Sequence, residues 1–309
     1  MDLLFNKNNS GQAEIKKILG FLDGGFTYAN LEPDIELNTP DLINLISQEV
    51  YDKLQEYYAD ANPTEDKDIA QAIKYCQLYI ASMAYLDYAP NNALTHSNSG
   101  RNVSKTDSET MAWDWQIAQD NAATKKRAYK ALDLLFVMLE AKAWPEWTGS
   151  EAYKKANALF LKNTNLFDAA FPINKSGQLY QRLVPFMADF ENDHVTAILT
   201  LDSVTTLKAV SEPNETQTVL LNLIHKAIAY LSLGKAMKAF PVEMFPEGLL
   251  YNENTRMKSL ARAEVMQFLN DEGAKYLTKL EHEYSKQTET FEELPTTNGL
   301  EEGKKYVNL

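Results

Sequence analysis

Four histidines are the first residues to ask for chemistry: His96, His194, His225 and His282. No two stand three or four residues apart, so no helical turn presents two imidazoles. The single cysteine, Cys76, cannot complete a cysteine pair for a metal. His225 lies in an apolar helical stretch and reads as a core or groove histidine. His194, beside Glu191 and Asp193, could touch a cation, but this pattern reads better as a solvated helix face. The run His96-Ser97-Asn98-Ser99-Gly100 lacks a glycine two residues before either serine, so it is not a nucleophile elbow; it reads as a polar hairpin tip. Asp60, Asn62, Asp66 and Asp68 have the look of a calcium loop without its central glycine or closing glutamate. They are better placed as a loop and an acidic helix start, where carboxylates suit the helix dipole. Neither a Walker loop nor a dinucleotide glycine pattern is present. A glycosidase would need two carboxylates in one cleft, which a sequence does not display. The expectation is therefore a protein with no cofactor, no metal and no catalytic residues.

Aromatic residues are the remaining asset. Trp113, Trp115, Trp144 and Trp147 bracket a long helical stretch, and either core packing or a subunit interface accounts for them, since aromatics are enriched at interface centres. With His96 and Arg101 in the polar insertion and Tyr306 in the strip Lys304-Lys305-Tyr306-Val307-Asn308-Leu309, they form the set of candidate interaction residues.

These residues hang on a repeated framework. Asp68 to Gly100 and Leu220 to Gly248 share an apolar helix, a proline stop and an extended run with a glycine; a shift of 151 sets Ile73 on Ile224, Tyr79 on Tyr230 and Pro90 on Pro241. Repeated supersecondary units are common in proteins that build surfaces. The expected fold is mainly α: a helical bundle of two related units with short β-hairpin insertions. The spacing predicts an N-terminal arm over 1–30 holding a short helix near 12–22. A first unit follows over 31–172, with helices near 41–59, 65–89 and 108–142, a short helix from 150 to 161, and an extended segment at 91–105. Thr39-Pro40 marks a helix start or a kink. Pro172 to Gly177 is the expected boundary. The second unit, 173–284, carries helices near 178–199, 215–240 and 254–284 with an extended segment at 242–252, and 285–309 reads as a flexible tail.

Composition bounds the partners. The 309 residues are 45% hydrophobic, enough for two cores, and carry 43 acidic against 30 basic side chains, a net charge of −13. That balance argues against gripping phosphates or anionic membranes. No window predicts a transmembrane helix or a secretory signal, and one cysteine gives no disulfide, so the cytosol is the expected compartment of synthesis.

The stretch SETMAWDWQIAQDNAATKKRAYKALDLLFVMLE, followed by WPEW, SEAYKKANALFLKNTNLFDAAFPI and LYQRLVPFM, resembles an uncharacterised family encoded in phages and prophages of gut anaerobes. EIKKILGF and LEPDIELNTPDLINLISQEVYDKL resemble the same family. The unit also resembles the head–tail connector (adaptor) proteins of tailed phages, with helices near 41–59, 67–89 and 108–142 and 91–105 as the inserted segment. This chain is longer and carries a second copy. The resemblance implies a structural virion protein, assembled in the host cytoplasm, forming a homo-oligomeric ring between portal and tail proteins. DNA would pass through its lumen without specific binding. The competing expectation is an all-helical ligand-binding protein of glycan-binding type, or an uncharacterised hydrolase.

Overall fold

The computed structural model describes residues 2–23, 25–92, 95–97, 100–102, 112–239 and 259–288. Helices dominate it, as the apolar spacing predicts, and they divide between two hydrophobic cores.

The first core is built on α4 (Lys67–Asn92), whose partners are α1 (Gly11–Leu19), α2 (Tyr28–Ile46), α3 (Gln48–Ala59) and α5 (Asp114–Lys142). α4 is apolar on most of its circumference, with Ile73, Cys76, Tyr79, Ile80 and Ala84 all buried, which is what a central helix requires. Its start is fixed by Asp66, whose carboxylate accepts the backbone N–H groups of Asp68 and Ile69 at 2.9 and 3.0 Å, a cap on the dipole's positive end. Pro90 lies inside the last turn and does not end the helix before it. α2 likewise runs through Pro40 instead of starting there. The chain breaks at Ser47, which takes φ 84° and caps α3 by accepting Val50 N–H.

The segment 1–30 is not a free arm. Leu4, Phe5, Ile15 and Leu19 are buried in the first core. The turn before α1 is an asparagine turn, with Asn6, Asn8 and Asn9 at positive φ, a conformation asparagine adopts at little cost. Glu14 pins it by accepting from Asn6 N–H, Ser10 Oγ and Tyr58 Oη, each at 2.8 Å. The Gln77 amide donates to Leu4 O at 2.6 Å. Apolar burial outweighs the polar appearance of FNKNNSGQ.

In the expected insertion, Thr95–Ser97 runs antiparallel to Gly100–Asn102 in a three-residue ladder that sets His96 opposite Arg101. The segment 242–252 lies outside the described residues, as does the tail beyond 288.

After α5 the chain turns at Ala143 (φ 47°) into α6 (Pro145–Thr148) and α7 (Glu151–Asn157), the latter capped by Ser150 as its sequence suggests but ending short of Leu161. The second core is built on α12 (Glu215–Ala239), packed by α13 (Ser259–Thr288), α9 (Gly177–Phe190) and α8 (Thr164–Ala170). The helix expected over 178–199 is α9, then a π-turn at Glu191–Val195, then the single turn α10 (Thr196–Ile198). α11 (Leu201–Ala209), capped by Thr200, has no counterpart among the helices the spacing predicts. The two cores meet where α5 packs on α9. There the buried Asp133 carboxylate accepts from Ser176 Oγ at 3.0 Å and Gln178 N–H at 3.2 Å, and Gly177 lies against the Phe136 ring.

Candidate functional site

Among the sequence-derived interaction residues, the tryptophans part company. Trp147 is only 1% exposed and packs edge-on against Phe136 and Tyr153, so it belongs to the first core. Trp144 is half-buried beneath Lys53, whose ammonium lies 4.9 Å from the ring and bridges to Glu146 at 2.9 Å. Trp113 and Trp115 are 70% and 65% exposed. They stand on the first turn of α5, where every residue from Ala112 to Asp120 is exposed, Ile117 at 44% included. This end of the helix therefore projects beyond its neighbours with apolar side chains bare on more than one face. Its start is held by Gln116, whose Oε1 accepts Trp113 N–H at 3.0 Å. The side chains of His96 and Arg101, and Tyr306 altogether, lie outside what is described.

The site that sequence reasoning missed is a cleft of about 380 Å³ in the second unit. Behind its wall, paired with the lining residue Lys208, Glu191 opens a π-turn, a distortion frequent at functional positions. Its carboxylate is 3% exposed; one oxygen accepts Phe160 N–H at 2.5 Å and the other pairs with Lys208 Nζ at 2.5 Å. Lys208 also donates to Ala158 O, and Lys162 Nζ donates to Lys208 O, both at 2.7 Å. Burial pushes the Glu191 carboxyl above its usual range, against the pull of Lys208 and the Phe160 N–H. Burial depresses His225, with nearby Lys162 adding to the effect and a hydrogen bond to the Phe160 backbone opposing it. Phe160, Leu207, Leu221, Lys162, His225 and Lys226 line the opening. The hydroxyl of Thr218, also on its wall, donates to Asn214 O at 2.8 Å. Glu191, Lys208, Lys162 and His225 thus hold the loop 158–163 to the π-turn, α11 and α12, while Thr218 bonds only to the start of its own helix. The arrangement offers a basic, apolar-floored cleft to an anion with an apolar body.

The other candidates resolve into packing. His194 stacks on Phe190 at 5.3 Å, and His282 is exposed. Among the described residues no group of three or more His, Cys, Asp or Glu could hold a metal ion. Asp60 and Asp66 receive backbone N–H groups instead of forming a cation loop. Cys76 is buried, and desolvation raises its thiol far from reactivity. No described helix is long and apolar enough to cross a membrane.

Fold and surface together define a mainly helical protein with one domain used twice, its sharpest exposed feature among the described residues being an aromatic helix end. The chain belongs to the DUF6712 family, a family of unknown function, whose model matches residues 42–157 and again 186–301. The duplication legible in the sequence is thus the family domain in two copies. The copies begin later than the boundaries that the sequence pattern predicts, at 42 and 186, and the second extends to 301, beyond the predicted start of the tail at 285. No curated protein and no solved structure matches the chain.

Proposed function

We propose that this protein is a structural subunit that works through protein–protein contacts, as a head–tail connector or ring adaptor of a phage particle joining portal and tail. The observation that carries the reading is the bare helix end at Trp113, Trp115 and Ile117. Large apolar groups clustered in water mark a contact surface, and tryptophan is the residue most often found at its energetic centre. The resemblance of the α3–α4–α5 unit to connector proteins supplies the kind of assembly. Matching insertions at 91–105 and 242–252 are part of this reading, as is a lumen whose acidic character lets DNA slide. Net charge −13 favours that over a grip on phosphates. Mass spectrometry of purified particles from an induced host tests the reading. The protein is expected there in stoichiometric copy number, and its absence overturns the proposal.

A second reading rests on the cleft between α8, α11 and α12. Its lysines and His225 above an apolar floor suit a ligand-binding protein. A thermal-shift panel of sugars, nucleotides and carboxylates separates the two readings. A specific shift that is lost in Lys162→Ala favours the ligand-binding one.

A further inference from the structure

Two features of the first unit are complementary and stand too far apart to meet within one chain. One is the aromatic end of α5, with Asp114 between Trp113 and Trp115 and Asp120 a turn further on, all exposed. The other is a groove of about 520 Å³ between α1, the end of α3 and the first half of α4. Its floor is apolar, from Ile18, Tyr57, Ile73 and Leu78, and its rim carries Lys7, Lys17 and Lys74. The one acid in the groove, Glu14, already accepts from Asn6, Ser10 and Tyr58. Lys7 Nζ is tied to Asp60 O at 2.6 Å, and the exposed Lys17 and Lys74 give the rim its basic balance.

α5 packs on α4 and runs against it, with Lys142 at its end paired to Asp68 at the start of α4, so the first turn of α5 lies towards the far end of α4. At 1.5 Å per residue, Lys74 on the rim lies roughly 24 Å along α4 from Pro90 near its far end. A rigid helix cannot fold its own first turn back over that distance. We propose that the Trp113–Ile117 end of one chain docks into the α1–α3–α4 groove of a second copy. This inference rests on the structural-subunit reading above and specifies its self-contact.

The fit follows from chemistry already present in the fold. Trp113 and Ile117 are four residues apart and share a helix face, which enters the groove. Trp115 covers the flank, where Lys17 or Lys74 can sit over its ring as Lys53 sits over Trp144. Asp114 meets the lysine rim. The contact joins two unlike patches, so it propagates head to tail and closes only as a ring or continues as a filament.

The full-length chain carries its own tool for the test. Cys76 is its single cysteine and is buried, so introduced thiols cross-link without competition. Ala118→Cys marks the helix end and Ala70→Cys marks the groove. Mixed at hundreds of micromolar and oxidised, the two chains should form a disulfide heterodimer in clear excess over either homodimer. Adding Trp113→Ser and Trp115→Ser to the first chain should cut that yield by about tenfold or more, the scale of losing a hot spot, with melting unchanged. A heterodimer yield no greater than the homodimers, or one indifferent to the tryptophans, overturns the inference. That result includes the case in which this chain's own residues cover the helix end. Presence in particles without the cross-link removes this contact and leaves the connector reading standing. The cross-link in a chain absent from particles does the reverse.

Discussion

The two units carry the same central device, a long apolar helix paired with the helix that follows it, yet they close it differently. In the first unit, α4 and α5 meet across a ring pair, Tyr79 and Tyr129 with centroids 6.4 Å apart, and the two helices bury Ala81, Ser82, Ala84, Ala128 and Ala131. In the second, α12 and α13 meet through glycines. A Cβ on Gly273 would lie 2.4 Å from Leu231 Cγ, and one on Gly234 would lie 2.6 Å from Asn270 Oδ1. Glycine in a helix interior costs about 1 kcal/mol relative to alanine, so the second pair gives up local propensity where its partner's side chains press against the backbone. The first unit instead has more material to seal its core: the N-terminal segment with Leu4 and Phe5, and the α6–α7 corner with Trp147. One unit is sealed by added elements and the other by close approach.

The comparison is broken most severely at Trp147. Trp147→Ala removes a fully buried ring from between Phe136 and Tyr153 and should cost about 4 kcal/mol. Its indole N–H has no partner among the described residues, so Trp147→Phe should recover most of that loss. Urea titration of both variants reads the difference. If the alanine variant costs less than about 1 kcal/mol, the corner is not a seal.

The second unit offers the matching test. Gly273→Ala forces a methyl group against Leu231 and should destabilise by about 2 kcal/mol, although alanine is the better helix former. Ala131→Gly in the first pair should cost about 1 kcal/mol from propensity alone. If Gly273→Ala is neutral or stabilising, the two helix pairs are held by the same means after all.

Asp133 ties the units to each other. Asp133→Ala leaves Ser176 Oγ and the Gln178 N–H without their buried acceptor, a loss of about 2 kcal/mol. Calorimetry should then show the single cooperative transition of the parent splitting into two. A single transition in the variant would mean that apolar packing of α5 on α9, around Gly177 and Phe136, couples the units without the carboxylate.

Much of this was legible beforehand, because periodicity reports burial. The spacing of Ile69, Ile73, Cys76 and Ile80 marks α4, the pairing of Ile73 with Ile224 marks the repeat, and Ser150 announces α7. What sequence conceals is choice among partners. Four tryptophans look alike in a string, and only the fold puts Trp147 in a core and Trp115 in water. The segment FNKNNSGQ looks like a solvated arm, because its buried anchors stand at its edge, Leu4 just before it and Phe5 at its head, and their pocket is formed by residues dozens of positions away. The Glu191–Lys208 pair was invisible for a similar reason. It depends on a π-turn that shifts helix register, and on a backbone N–H at Phe160 that no side-chain pattern encodes.

The smallest expected effect lies in that corner and bears on pH. In the unfolded chain His225 takes a proton near its ordinary 6.5, while in the fold burial depresses it. The stability that neutral His225 contributes is therefore complete above that value and is lost as the pH falls from 6.5 towards the folded value. Glu191 acts with the opposite sign. Its carboxyl is raised above 4.5 in the fold, so the folded state binds the proton first and gains stability as the pH falls towards 4.5. Between these limits the two groups offset each other, and the parent protein should show only a shallow fall in melting temperature from about pH 7 to about pH 5. His225→Gln keeps a side chain able to donate to the Phe160 backbone and removes the titration. Only the Glu191 contribution then remains, and the melting temperature should hold or rise slightly over the same interval. If the variant falls in parallel with the parent, the titration that matters lies elsewhere, and the second unit's corner is no more sensitive to pH than the tryptophan-sealed corner of the first.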